Sequence, residues 1–268
     1  FRDQIGLWDV VNEPVNLKTW DNKVSDLDDA NDWGHKEPVP DVADYVEDAL
    51  EWANTANPEA TLMINEYQTF VNEDVRTRYD ALITELKRRN APLKGIGIQA
   101  HEPRQEWFAP AEVWETFDLY AKHDLPIHIT ELHPQSSGVP ITGGWRTGPW
   151  TPEAQQEFTE QFVKLCFGHP SVASINWWGF SDRNIWLPGG GVVDETYTPK
   201  PVYHMLDTLI NHTWHTGLEI RTDQEGNALF RGFYGKYKVI INTPDGGIRA
   251  YRIHLRNEEE NDWVFIVE

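Results

Sequence analysis

The chain has 268 residues, enough for one large domain or for a domain of about 200 residues and a small one. Its formal net charge of −20 argues against a nucleic acid or an anionic membrane as partner, because phosphate groups attract Lys and Arg. A single cysteine excludes an intrachain disulfide, and no segment approaches the roughly 20 apolar residues of a membrane span.

Strand-like and helix-like segments alternate through the first 210 residues. The apolar strand segments are 5–12, 61–67, 94–101, 126–133 and 172–180. Each is followed by a segment with apolar residues at every third or fourth position, typical of a helix, beginning near residues 41, 73, 110, 151 and 199. Five strand-then-helix units with near-continuous apolar strands predict a parallel sheet covered by helices.

Polar side chains gather at the ends of these strands. They are Asn12, Glu13, Asn65, Glu66, Tyr67, Gln99, His101, Glu131, His133 and Trp178. A (β/α)8 barrel builds its active site from the carboxyl ends of its strands. No glycine-rich phosphate-binding motif follows any strand, which disfavours a dinucleotide-binding sheet. The sequence therefore predicts an α/β fold of the (β/α)8, or TIM, barrel type.

The composition changes after about residue 212. The remainder is rich in β-branched and aromatic residues, and "DQEGN" and "TPDGG" are turn signals. We predict a partial catalytic barrel over 1–212 and a small antiparallel β domain over 213–268, with four or so short strands. So few strands predict that this domain packs on the barrel or shares strands with further sequence.

Two glutamates, Glu13 and Glu131, each end an apolar strand far apart in the sequence. Strand ends converge in a barrel, and two carboxylates on either side of a sugar can divide the work of hydrolysing a glycosidic bond. Either glutamate alone would equally fit a salt-bridged residue at a strand end. The thirteen tryptophans add flat ring surfaces of the kind that stack on sugars.

The motifs "WDVVNEP", "NEY", "GIGIQAH", "ITELH" and "WWGFSDRNIW", in this order over residues 5 to about 210, resemble those of glycoside hydrolase family 10. That family comprises retaining endo-β-1,4-xylanases on a (β/α)8 barrel. The resemblance implies that Glu13 is the general acid/base and Glu131 the nucleophile. It implies a substrate-binding role for Asn12, Tyr67, Gln99, His101, Trp178 and Trp186, with His101 bonded to Glu131 and Asn12 on the sugar 2-hydroxyl.

The resemblance also predicts the protein's partners and location. The expected substrate is xylan or a xylo-oligosaccharide, with no cofactor and no metal. We expect a secreted or extracellular protein, in which a periplasmic or cell-surface location is included.

Three residues depart from the family pattern. His133 and Glu66 stand where the family usually has Asp, and Ile185 replaces a small polar residue. Because side chains alternate along a strand, His133 projects to the same side as Glu131. We assign it to the substrate-binding residues, as a group that reaches a sugar hydroxyl or alters Glu131; a hydrogen-bonded supporting histidine is the alternative.

The family's first three strand-helix units have no counterpart here, so the strand at 5–12 corresponds to the fourth. Five strands cannot close an eight-stranded barrel without leaving backbone groups unpaired. We expect the chain to be the C-terminal part of a longer protein. The N-terminal half of the barrel is then a missing segment or a second chain.

Three other functions stay open. A metal-dependent barrel enzyme could use His101, His128, Glu131 and His133 as ligands, although strand alternation turns His128 away from Glu131. A noncatalytic carbohydrate-binding protein could keep the cleft without turnover. The enzyme could also hydrolyse β-1,4-glucan or aryl glycosides, because excluding one substituent from a pocket is worth only a few kcal/mol.

Overall fold

A computed structural model of the chain describes residues 2, 4–16, 39–101, 104–143, 146–257 and 259–267, without the side chains of 39–41. The chain divides into two compact units, Phe1–Met205 and Leu206–Glu268. The boundary predicted from composition lay after residue 212. No helix in the described ranges is both long and apolar enough to cross a membrane.

The first unit contains a parallel sheet of five strands, as the sequence predicted. The strands pair in sequence order, and each is parallel to its neighbours. They are β1 (Leu7–Asn12), β2 (Thr61–Glu66), β3 (Gly95–Ile98), β4 (Ile127–Leu132) and β5 (Val172–Trp177). All carboxyl ends therefore lie along one edge of the sheet, where the polar residues were expected.

Helices connect the strands. They are α1 (Val39–Ala56), α2 (Glu73–Arg88), α3 (Pro110–Ala121), α4 (Pro152–Gly168) and α5 (Pro201–Thr208), the last continued by a π-helical turn, Leu209–Thr213. Side-chain caps fix two of the starts: Asn72 accepts from the backbone of α2, and Thr151 accepts from Ala154 N of α4. Such caps satisfy N–H groups that lack a partner in the first turn.

The core of this unit lies between the sheet and its helices. Five of the six residues of β2 and all four of β3 are buried, as in a parallel sheet covered on both faces. A cluster of aromatic rings with centroids 5.2–6.5 Å apart packs beside it, formed by Phe70, Phe108, Phe117, Phe158 and Phe162. Burying each such side chain stabilises the fold by about 1.5–3 kcal/mol.

The two outer strands differ from the inner ones. Within the described ranges, β1 pairs only with β2 and β5 only with β4, and both are partly exposed. A closed barrel has no such edges, so the five described strands do not close a barrel by themselves.

Three residues just beyond strand ends have left-handed backbone conformations. Glu13 has a φ of 58°, Gln68 of 62° and Ala100 of 59°, after β1, β2 and β3 respectively. Residues with a Cβ pay about 1–2 kcal/mol for this conformation. The chain thus turns sharply at the edge that carries the polar residues.

The second unit contains one antiparallel hairpin, β6 (Gly235–Asn242) and β7 (Ile248–Leu255). The described part of this unit therefore has two strands, and the prediction of about four was wrong. The "DQEGN" turn does form, with Asp223 N donating to Asn227 O at 2.8 Å, but the segments on either side of it do not pair as strands. A turn signal alone was insufficient evidence for a hairpin.

Candidate active site

Glu131 lies on β4 and is held at both carboxylate oxygens. Asn65 Nδ2 donates to its Oε1 at 3.0 Å, and His101 Nε2 lies 2.5 Å from its Oε2. The ring uses Nε2 as its N–H donor to this carboxylate oxygen, and its other nitrogen is buried with no hydrogen-bond partner among the described residues. Accepting at both oxygens is the role of an ionised carboxylate.

Glu13 lies one residue beyond β1 and is held mainly through its backbone. Its N–H donates to Asn65 O at 2.7 Å, which continues the pairing of β1 with β2 past the strand end. Gln99 Nε2 donates to the side-chain Oε1 at 2.9 Å. Within the described ranges Oε2 has no hydrogen bond, so one oxygen of Glu13 is open to a ligand.

A chain of neutral amides joins the two glutamates. Gln99 Nε2 and Asn65 Nδ2 each donate to Asn12 Oδ1 at 3.0 Å while they also bind Glu13 and Glu131 respectively. Both hydrogens of each amide group are thereby used. Because Asn12 accepts from both sides through its oxygen, its exposed Nδ2 group is oriented away from them, available to a ligand.

Asn65 is the central residue of this chain, and sequence reasoning assigned it no role. Thr130 Oγ1 donates to its Oδ1 at 2.7 Å, which fixes the orientation of the amide. A Cβ at Gly97 would lie only 2.7 Å from that same oxygen, so the glycine in β3 makes room for Asn65. A glycine inside an apolar strand signals such close approach.

Asp9 is a third carboxyl group at the site and was also missed. Partial burial raises its pKa to about 6 although the residue keeps exposed surface, and the negative charges of Glu131 and Glu13 raise it further. The nearby amide of Asn65 acts in the opposite direction and lowers the pKa. Asp9 is therefore largely protonated below about pH 6, which limits the negative charge at the site.

Aromatic rings surround His101. Its ring centroid lies 4.9 Å from that of Trp186 and 5.8 Å from that of Trp178, both edge to face. Arg104 Cζ lies 4.9 Å from the Trp186 centroid in a cation-π contact. The two tryptophans keep 52% and 49% of their surface exposed, whereas Tyr67 keeps 8%. Trp186 and Trp178 therefore provide the accessible ring surface.

His133 lies behind His101, with ring centroids 5.7 Å apart, and none of its surface is exposed. A Cβ at Gly190 would lie 2.0 Å from its Nε2, so the glycine backbone covers the ring. Burial lowers the pKa of His133 to about 4, helped by the nearby His101 and Lys200. The expectation that His133 binds substrate is corrected: it has no surface from which to do so.

The four residues considered as metal ligands, His101, His128, Glu131 and His133, do not form a metal site in the described structure. His128 Nδ1 pairs with Ser174 Oγ at 2.8 Å. Among the described residues no group of three or more His, Cys, Asp or Glu side chains is arranged to hold a metal ion.

Comparison with known proteins gives a consistent set of matches. The profile of glycosyl hydrolase family 10 matches residues 1–208. Endo-1,4-beta-xylanase B of Thermotoga neapolitana is 30% identical over 223 residues, which are 78% of this chain and 58% of that protein.

Solved structures match the fold over a similar span. Native xylanase 10B from Thermotoga maritima superposes with a TM-score of 0.61 at 26% identity, covering 80% of this chain and 62% of that one. Xylanase 10B from Thermotoga petrophila RKU-1, in complex with xylobiose, gives 0.60 at 25% identity, with 80% and 62% covered. The chain thus spans about three-fifths of the length of these relatives.

Proposed function

Since the chain belongs to glycosyl hydrolase family 10, we propose that it supplies the catalytic carboxylates of a retaining endo-β-1,4-xylanase. Glu131 is the nucleophile and Glu13 the general acid/base. The observation that carries the proposal is the amide chain through Gln99, Asn12 and Asn65, which holds both carboxylates at one sheet edge. Retaining hydrolysis needs the two groups about 5–5.5 Å apart across the scissile bond.

In the first step Glu131 attacks the anomeric carbon of the sugar. The bond from that carbon to the glycosidic oxygen breaks, and Glu13 gives its proton to the departing oxygen. A glycosyl ester on Glu131 and an ionised Glu13 result. The two hydrogen bonds to Glu131 support this role, because they fix the carboxylate before it attacks.

In the second step a water molecule attacks the same carbon and releases Glu131. Glu13 takes the proton of this water, which restores both residues to their starting states. Two inversions at one carbon give net retention of configuration. The unbonded oxygen of Glu13 supports a role that requires contact first with the leaving group and then with water.

The proposed substrate is xylan or a xylo-oligosaccharide. The outward Nδ2 of Asn12 is placed to bind a sugar hydroxyl, and the exposed rings of Trp178 and Trp186 offer stacking surfaces. Such contacts hold the sugar so that its anomeric carbon faces Glu131.

The remaining strands of the barrel belong to the same proposal. They come from an N-terminal segment, in the same polypeptide or as a separate chain, and pair with the open edges of β1 and β5. The span of 62% of the solved relatives supports this. We call the assembly of this chain with that segment the completed enzyme. A secreted or extracellular location fits a polymeric plant substrate.

Product stereochemistry tests the reaction. Proton NMR of xylo-oligosaccharide hydrolysis by the completed enzyme is expected to show the β anomer first, before mutarotation. Formation of the α anomer would exclude retention. Binding of the oligosaccharide with no product at all would favour a noncatalytic carbohydrate-binding protein.

Initial rates of hydrolysis test two parts of the proposal: the preference for xylan, and the need for the N-terminal segment. The completed enzyme is expected to be faster on xylan than on mixed-linkage β-glucan, cellulose or aryl glucosides. This chain alone is expected to show no hydrolysis, because in the described sheet β1 and β5 each lack a neighbouring strand on one side. Full activity of the chain alone would show that the added strands are not needed.

A further inference from the structure

Glu66, the last residue of β2, is a carboxyl group with no exposed surface. Three N–H donors bind it: Val15 N at 2.9 Å to Oε2, and Asn16 Nδ2 at 2.7 Å and Tyr67 N at 2.9 Å to Oε1. Burial raises the pKa of Glu66 to about 7, while these hydrogen bonds act to lower it. All three partners donate hydrogen bonds, so they favour the ionised form of Glu66, which predominates above about pH 7.

Two of the three donors belong to the turn that follows Glu13. Within this turn Asn16 N donates to Glu13 O at 3.3 Å, and Pro14 has no N–H to give. Val15 N–H is buried and is satisfied by Glu66. The Glu66 carboxylate, at the end of β2, therefore holds the two residues of the turn that follow Pro14.

The turn needs these stabilising hydrogen bonds because the backbone of its first residue, Glu13, is strained. Glu13 has a φ of 58°, in the left-handed region that side chains with a Cβ rarely adopt. Strained backbone of this kind persists only where surrounding contacts over-determine it. The hydrogen bond from Glu13 N to Asn65 O fixes the backbone at Glu13 itself. The hydrogen bonds to Glu66 fix Val15 and Asn16, which follow it.

We propose that Glu66 is a positioning residue whose carboxylate holds the turn after β1 in the conformation that aims Glu13 at the glycosidic oxygen. The proposal rests on the function proposed above for Glu13. Glu66 itself has no surface with which to touch a substrate. Its effect on the reaction is therefore confined to the steps in which Glu13 moves a proton.

The test compares two substrates that differ in how much they need an acid. A xylo-oligosaccharide has a poor leaving group that must be protonated, whereas an aryl xylobioside with a dinitrophenol leaving group needs little help. Glu66→Gln is nearly isosteric but turns an N–H₂ group toward N–H donors. In the completed enzyme it is expected to lower the ratio of kcat/KM for the first substrate to that for the second on the order of tenfold or more.

Two further variants separate positioning from general damage. Asn16→Ala keeps the charge of Glu66 and removes one of its hydrogen bonds, so a smaller fall in the same ratio is expected. Asp80→Asn is the matched control, because Asp80 on α2 binds His123 at 2.7 Å and has no described contact with Glu13 or Glu131. It is expected to leave the ratio unchanged.

If Glu66→Gln lowers kcat/KM equally for both substrates, or does not lower it for either, the proposal is overturned. A crystal structure of this variant gives an answer that does not depend on activity. A displaced Glu13 with a broken contact to Gln99 would support the proposal, and an unchanged turn would refute it. Wild-type enzyme that hydrolyses neither substrate would refute the proposed function instead, and the crystal structure would still decide the role of Glu66.

Discussion

Glu131 and Glu13 stand at the same sheet edge but are held in opposite ways. Glu131 is part of regular strand β4, and both of its oxygens accept hydrogen bonds. Glu13 lies beyond its strand in a left-handed turn, and its side chain has one described hydrogen bond. The contacts that locate Glu13 act on the backbone around it, so its second oxygen stays open.

This difference fits the proposed division of labour. A nucleophile must stay charged and in place, which hydrogen bonds to its oxygens achieve. An acid/base must exchange a proton with two different molecules, so its position has to be fixed while one of its oxygens stays free. Backbone strain held by Glu66 and Asn65 provides such a position.

Replacing the nucleophile should have the largest effect. Glu131→Gln in the completed enzyme is expected to lower kcat on xylo-oligosaccharides on the order of 10⁴-fold or more, because no covalent intermediate can form. Steady-state rates check this. Glu160→Gln, a change at a partly exposed residue of α4 that pairs with Lys164, is the control and should leave the rates unaltered. Normal hydrolysis by Glu131→Gln would show that the nucleophile is misassigned.

Replacing the acid/base should have an effect that depends on the leaving group. Glu13→Gln is expected to lower kcat/KM on xylo-oligosaccharides by about 10²–10⁴-fold, since proton donation is lost. The dinitrophenyl xylobioside should show a much smaller loss in kcat/KM. Equal losses on both substrates would mean that Glu13 does not act as the acid, and the contrast between the two carboxylates would disappear.

Crowding Asn65 should weaken the hold on both carboxylates. Gly97→Ala places a Cβ 2.7 Å from Asn65 Oδ1 and 2.8 Å from Ile64 O, so we expect a loss of about 1–3 kcal/mol in stability together with reduced kcat. Urea unfolding and steady-state rates measure the two effects. In the control Gly168→Ala, the nearest atom is 3.9 Å away, and little change is expected. Wild-type activity in Gly97→Ala would mean that Asn65 need not be fixed in place.

The smallest expected effect concerns His133 and pH. Its pKa falls from 6.5 to about 4 on folding, so the unfolded chain takes up a proton there before the folded chain does as pH drops. Stability should therefore decline between about pH 6.5 and 4. His133→Asn removes this titration, so the free energy of unfolding lost between pH 7 and 4.5 should be smaller by about 1–3 kcal/mol. Unfolding free energies at pH 4.5 and 7 measure it, and identical slopes would contradict the assignment.

The strands and helices of the first unit lie close to where the sequence predicted them, because their apolar spacing is long and regular. The site was predictable only in outline. Strand ends indicated which residues meet at the edge, including Glu13, Gln99, His101 and Glu131. The roles of Asn65 and Glu66 and the burial of His133 depend chiefly on contacts between residues far apart in the sequence, which no local pattern encodes.

Departures from regular strand geometry also limited prediction. The pairing of β1 with β2 shifts between Asp9 and Val11, and that of β4 with β5 shifts between Ile129 and Leu132. Simple alternation of side chains cannot be trusted across such shifts. The left-handed conformation of Glu13 had no signal either, because the usual signals for it are Gly and Asn.

The tight turn after β1 also governs which changes of chain length the site can accept. Between Glu13 and Asn16 every backbone N–H is hydrogen-bonded, at Glu13, Val15 and Asn16, since Pro14 has none. Inserting or deleting one residue in this turn would move the Glu13 carboxylate away from the carboxyl ends of the strands, even if every other side chain were retained. Among the described residues, the Thr243–Gly247 turn of the hairpin is hydrogen-bonded only within itself, so insertions and deletions should be tolerated better there than in the turn after Glu13.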